Sequence, residues 1–145
     1  MSTNEQYTKL TATEFLDKIK TEKDAAGKVR MQLYFLQKFA TTDRNIARPM
    51  ALAIIRVAGK LNMQAELAAA YQLISMYLLS EGNYKQALKY IDKGDKIARE
   101  VGAEVTLAAL YRNRYILNIM QGNIPESIDS ITRCIAIAER LNNEI

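Results

Sequence analysis

The 145-residue chain is predicted to be all-α, a stack of antiparallel helix pairs, and three observations predict it. A pattern recurs every forty residues: Val57-Ala58 returns as Ile97-Ala98 and Ile137-Ala138, and Leu67-Ala68-Ala69 with Tyr71 returns as Leu107-Ala108-Ala109 with Tyr111. A period of this length marks small units that cannot bury their apolar faces alone and share one core by stacking. Apolar residues also fall at steps of three and four along most of the chain, the spacing of one helical face. Finally, Gly82-Asn83 and Gly122-Asn123, again forty apart, set a residue tolerant of positive φ beside a helix-capping Asn.

Taken in order, residues 1–12 are read as a flexible amino-terminal tail and 13–145 as a single domain of about three helix pairs behind a short helix near 13–22. The first pair begins with a helix of about 24–41. Thr41-Thr42-Asp43 supplies the turn, and the helix of about 44–60 follows with Ala47, Met50, Ile54, Val57, Ala58 and Leu61 in one stripe. Pro49 is most easily accommodated if this helix begins near Asn45 or bends there. The helix of about 64–80 is apolar on nearly every side, as expected of a helix covered by neighbours in the middle of a stack. The helix of about 84–101 returns to one stripe, through Leu88, Ile91, Gly94, Ala98 and Val101. Helices of about 104–121 and 124–142 complete the last pair, and Pro125 fits the first turn of the latter, where a missing N–H does little harm.

Composition narrows the function. The chain has no histidine, which removes Ser-His-Asp and Cys-His nucleophile pairs, His-ligated zinc and an imidazole base near neutral pH. The six glycines form neither GxGxxG nor GxxxxGK[ST]. A non-enzymatic protein is therefore expected, with no catalytic, cofactor-binding or metal-binding residue assigned and no cofactor. No stretch approaches the roughly 20 apolar residues that span a bilayer, and the first thirteen residues lack the apolar core of a signal peptide. A cytoplasmic protein without a membrane partner is expected. The single cysteine, Cys134, excludes an internal disulfide and reads as a buried structural thiol.

The net charge of +4 lies towards the amino terminus: residues 1–50 carry nine Lys/Arg against six Asp/Glu, 51–100 seven against five, and 101–145 four against five. Arg44, Arg48, Arg56 and Lys60 share a helix with no acidic residue inside it. That face is the candidate for a nucleic acid or other anionic surface, although a nucleic-acid binder would be expected to show a larger cluster with exposed aromatics.

In the second unit, Tyr71, Ile74, Ser75, Gly82, Tyr84, Ala87, Leu88 and Ile91 follow a spaced order of aromatic, large apolar, small, glycine, aromatic, small and large apolar positions. This order resembles that of the tetratricopeptide repeats. In the third unit Tyr111, Gly122, Ile124, Ser127, Ile128 and Ile131 keep the spacing, while Tyr115 stands where the family has a small residue and Asn118 where it has a large one. The first unit, about Lys28 to Lys60, aligns with either Met31 or Leu33 in the leading position. The period exceeds the family's usual thirty-four and is similar to the longer repeats of bacterial signalling and transcription-regulating proteins. The resemblance implies a right-handed superhelical α-solenoid that binds a protein or peptide, as the docking or sensing part of such a system.

In that family the first helices of successive units line a concave groove. Carried onto this sequence, the groove-facing set is Gln72, Met76 and Leu79 in the second unit and Arg112, Ile116 and Ile119 in the third, with Asn113 adjacent; Tyr34 and Lys38 extend it if Leu33 leads the first unit. The family's carboxylate-gripping arrangement of Lys, Asn and Arg is not reproduced, since Gln72 and Leu73 occupy the relevant places. Met76, Leu79 and Ile116 with Arg112 instead suggest an amphipathic helix or extended segment with apolar anchors and an acidic group. The alternative is self-association through the last helix pair, where Ile128, Ile131 and Ile135 have no following helix to cover them and a homodimer would result.

Overall fold

The computed structural model describes residues 10–39 and 43–143. Among the described residues there are seven helices and no strand: α1 (Ala12–Thr21), α2 (Ala25–Phe39), α3 (Arg44–Lys60), α4 (Gln64–Ser80), α5 (Tyr84–Val101), α6 (Glu104–Met120) and α7 (Ile124–Asn143). Each helix packs on the next, α2 also touches α4, and α4 also touches α6. None is long and apolar enough to cross a membrane.

The boundaries follow from local chemistry. Thr11 caps α1 by accepting from the Glu14 N–H at 3.2 Å, so this helix begins one residue before the expected 13; most of the expected tail, 1–12, lies outside the described residues. Asp43 caps α3 by accepting from the Asn45 N–H at 3.0 Å, whereas Thr41 and Thr42 lie outside the described residues. With α3 starting at Arg44, Pro49 sits inside the helix, past the position where a missing N–H is free of cost.

The joints after α3 are one device used four times. Asn62, Gly82, Gly102 and Gly122 adopt left-handed φ values of 56°, 77°, 70° and 77°. The following N–H, of Met63, Asn83, Ala103 and Asn123, then reaches back to the carbonyl oxygen of Ala58, Leu78, Ala98 and Asn118 at 2.9, 2.9, 2.9 and 2.8 Å. This closes a Schellman turn. Positive φ thus recurs every twenty residues, half the sequence repeat, and gives both members of a pair nearly equal length.

The core runs along the stack. α4 buries residues on most of its circumference, including Ala68, Ala70, Ile74 and Ser75, while α5 buries only Ala87, Ile91, Gly94 and Ala98. Gly94 permits the close approach: a β-carbon there would stand 3.2 Å from both methyls of Leu110 and 3.3 Å from the Tyr71 Cβ. At the amino-terminal end, the fully buried Phe15 ring of α1 stacks on Tyr34 and Phe35 at centroid distances of 5.4 and 6.2 Å. Cys134 is half-buried rather than buried, because its position on α7, equivalent to Gly94 on α5, has no following helix among the described residues to cover it.

Candidate functional site

A cleft of about 510 Å³ opens between α2, α3, α4 and α6. Leu36 of α2, Ala47 of α3 and Leu73, Met76 and Tyr77 of α4 give it an apolar lining. Its polar groups fall in two sets. Arg44, Arg48, Ser80 and Glu81 gather where α3 begins and α4 ends, and Gln72 with Arg112 of α6 lies two helical turns back, roughly 12 Å along α4.

The first set is a closed network. An Nη1 proton donor of Arg48 meets both carboxylate oxygens of Glu81 at 2.8 and 2.9 Å. Arg44 approaches the same carboxylate at 3.2 Å and donates to the Ser80 Oγ at 3.0 Å, and that hydroxyl donates to the Tyr77 carbonyl oxygen at 2.7 Å. Two guanidinium groups therefore share one carboxylate. Arg112 has no carboxylate within ion-pair distance among the described residues. Three arginines against one glutamate leave the cleft cationic. Burial raises the Tyr77 phenol above its ordinary range, so this ring stays neutral beside them.

The cleft brings together Gln72, Met76 and Arg112 of the set expected from the sequence. Other members of the set are placed elsewhere. Leu79 is buried in the core with Ala87 and Ile91. Asn113 is fully buried and serves as a tie between helices: its Nδ2 donates to the Ser75 Oγ at 2.8 Å and the Gln72 carbonyl oxygen at 3.1 Å. Tyr34 is half-buried and stacks on Phe15 of α1, and Lys38 is exposed outside the cleft lining. Leu36 and Gln37 take their place as the contribution of α2. Ile116 and Ile119 are exposed on α6 beyond Arg112, outside the lining.

The basic helix is also divided. Arg44 and Arg48 turn into the cleft and are held by Glu81, which leaves Arg56 and Lys60 as the exposed remainder of the expected basic face. Sequence reasoning missed Arg44, Arg48, Tyr77 and Glu81 as cleft residues. One signal was present: two arginines a turn apart lie on one helix face, and with no acidic residue in their helix any carboxylate partner must come from another segment.

On α7, Ile128 and Ile135 are exposed and Ile131 is half-buried, while Ile137 is turned inward and buried. No protein-family model, curated protein or solved structure matches the chain.

Proposed function

We propose that this chain is a protein-interaction domain of the tetratricopeptide-repeat type, a right-handed α-solenoid whose cleft holds an acidic segment of a partner protein by an apolar side chain. The cleft's composition carries this reading: an apolar floor of Leu36, Leu73, Met76 and Tyr77 between two polar sets whose summed charge is positive. An apolar anchor gains from leaving water in proportion to its buried area, and Arg112, which has no carboxylate partner of its own, selects an acidic neighbour to that anchor. Binding and release of such a segment requires no chemistry from the chain. The forty-residue repeat, the four equivalent joints and the contacts of α4 with both α5 and α6 support the solenoid. The Arg44–Arg48–Glu81 network weighs against the basic helix as a nucleic-acid surface, because it holds two of the four cations in the cleft and leaves only Arg56 and Lys60 on the exposed face.

The test is fluorescence anisotropy with labelled twelve-residue peptides bearing one Phe or Leu flanked by Asp and Glu, against counterparts with Lys in the acidic positions. Acidic peptides are expected to bind, and Arg112→Glu and Met76→Glu each to weaken binding roughly tenfold, on the order of 1.4 kcal/mol, with circular dichroism unchanged. Equal affinity for basic peptides, or wild-type affinity in both variants, would exclude the cleft.

A further inference from the structure

We infer that the outer face of α7 is a two-fold interface with a second copy of this chain. Residues forty apart in sequence differ in how far they are covered. Leu79 is 8% exposed and its equivalent Ile119 is 42% exposed; Ile91 and Ala98 are buried, while Ile131 is half-buried and Ala138 exposed. These are the positions at which an inner pair is covered by the next helix.

A face left open to water would be expected to be polar. Here the substitution runs the other way, for Asp95 of α5 is replaced on α7 by Ile135. Ile128 and Ile135 remain 59% and 49% exposed. With Ile124, Ile131 and Ala138 they fall at steps of four and three, one continuous stripe along the helix.

The stripe fits a second copy better than a charged partner. It contains no charge, and both arginines of the helix are paired within the chain: Arg133 meets Asp129 at 3.0 Å and Arg140 meets Glu104. Ile128 and Ile135 are placed symmetrically about the point between Ile131 and Thr132, so an antiparallel pairing of two α7 helices centred there sets Ile128 against the partner's Ile135. In that arrangement Glu139 of each copy lies at opposite ends and like charges do not meet. A twenty-residue helix spans about 30 Å, and with α6 beside it the face covers roughly 600 Å² in projection, near the ~800 Å² per partner of a standard interface.

Sedimentation equilibrium on the full chain tests this. The mass is expected to double as concentration rises, and the Ile128→Glu/Ile135→Glu double variant to remain monomeric with unchanged helicity. In a Cys134→Ser background, Thr132→Cys is expected to give a disulfide-linked dimer on mild oxidation, while Lys96→Cys on α5 does not. A monomer up to roughly 1 mM, the limit of weak association, would overturn the inference. So would a dimer that survives the double variant, or equal cross-linking at both cysteines.

Discussion

The side-chain amide of Asn113 reaches Ser75, thirty-eight residues earlier, across the α4–α6 contact at 2.8 Å. Its Nδ2 also meets the Gln72 carbonyl oxygen, an obligate acceptor, which fixes the orientation of the amide. The Oδ1 atom is left buried without a partner among the described residues. Asn113→Ala is expected to cost about 1–3 kcal/mol, since a buried hydrogen-bond partner and packing volume are lost. Asn113→Asp is expected to cost more, because an acceptor oxygen replaces the donor facing Gln72 and carries charge into the core. Urea unfolding with unchanged m-values checks the order.

Two helical glycines give opposite predictions. Gly59 has nothing within 4 Å of the space its β-carbon would fill, so Gly59→Ala is expected to stabilise by up to about 1 kcal/mol through helix propensity and reduced unfolded-state freedom. Gly94→Val is expected to destabilise by about 1–3 kcal/mol, because Leu110 and Tyr71 already crowd that position. Thermal unfolding of the two variants beside wild type measures both signs.

Alkaline pH should weaken the fold through its tyrosines. Burial raises the Tyr77 phenol above its ordinary 10.0, and burial together with Tyr90 raises Tyr71. The unfolded chain then loses these protons first, so their contribution is whole below about pH 10 and is lost as pH rises through the folded-state values. Stability is expected to be flat approaching pH 9 and to decline above 10, with a shallower decline in Tyr77→Phe. Equal slopes in the two proteins would contradict the assignment.

What could be read from the sequence divides by the range of the physics. Helix positions rest on local signals, such as Asp43 before Arg44 or Gly82 beside Asn83, and α3, α4 and α5 fall at the expected residues. The twenty-residue half-period was less visible because Asn62 does the work of glycine at one joint. The cleft depends on longer reach. Met76 and Leu79 lie three residues apart on the same helix face and have the same apolar character, yet only the covering by neighbouring helices decides that one lines the cleft and the other joins the core. Arg48 and Glu81 meet across thirty-three residues, a pairing no periodicity encodes. Tyr34 meets Phe15 of the preceding helix across nineteen residues, another contact that helical spacing does not encode. Ser75, a small position of the repeat pattern, bonds to α6 through Asn113, and Tyr115 is tolerated at the equivalent place because it is only partly covered.

The central claim is that the cleft between α2, α3, α4 and α6 receives an acidic segment with an apolar anchor. It is tested most directly by titrating the isotope-labelled chain with the acidic Phe-bearing peptide and following backbone amide and methyl resonances by NMR. Saturable shifts are expected, centred on Leu36, Leu73, Met76 and Arg112, with the α7 resonances of Ile128 and Ile135 unmoved. Shifts confined to α7 or to the exposed face around Arg56 and Lys60, with the cleft methyls unchanged at saturation, would contradict it.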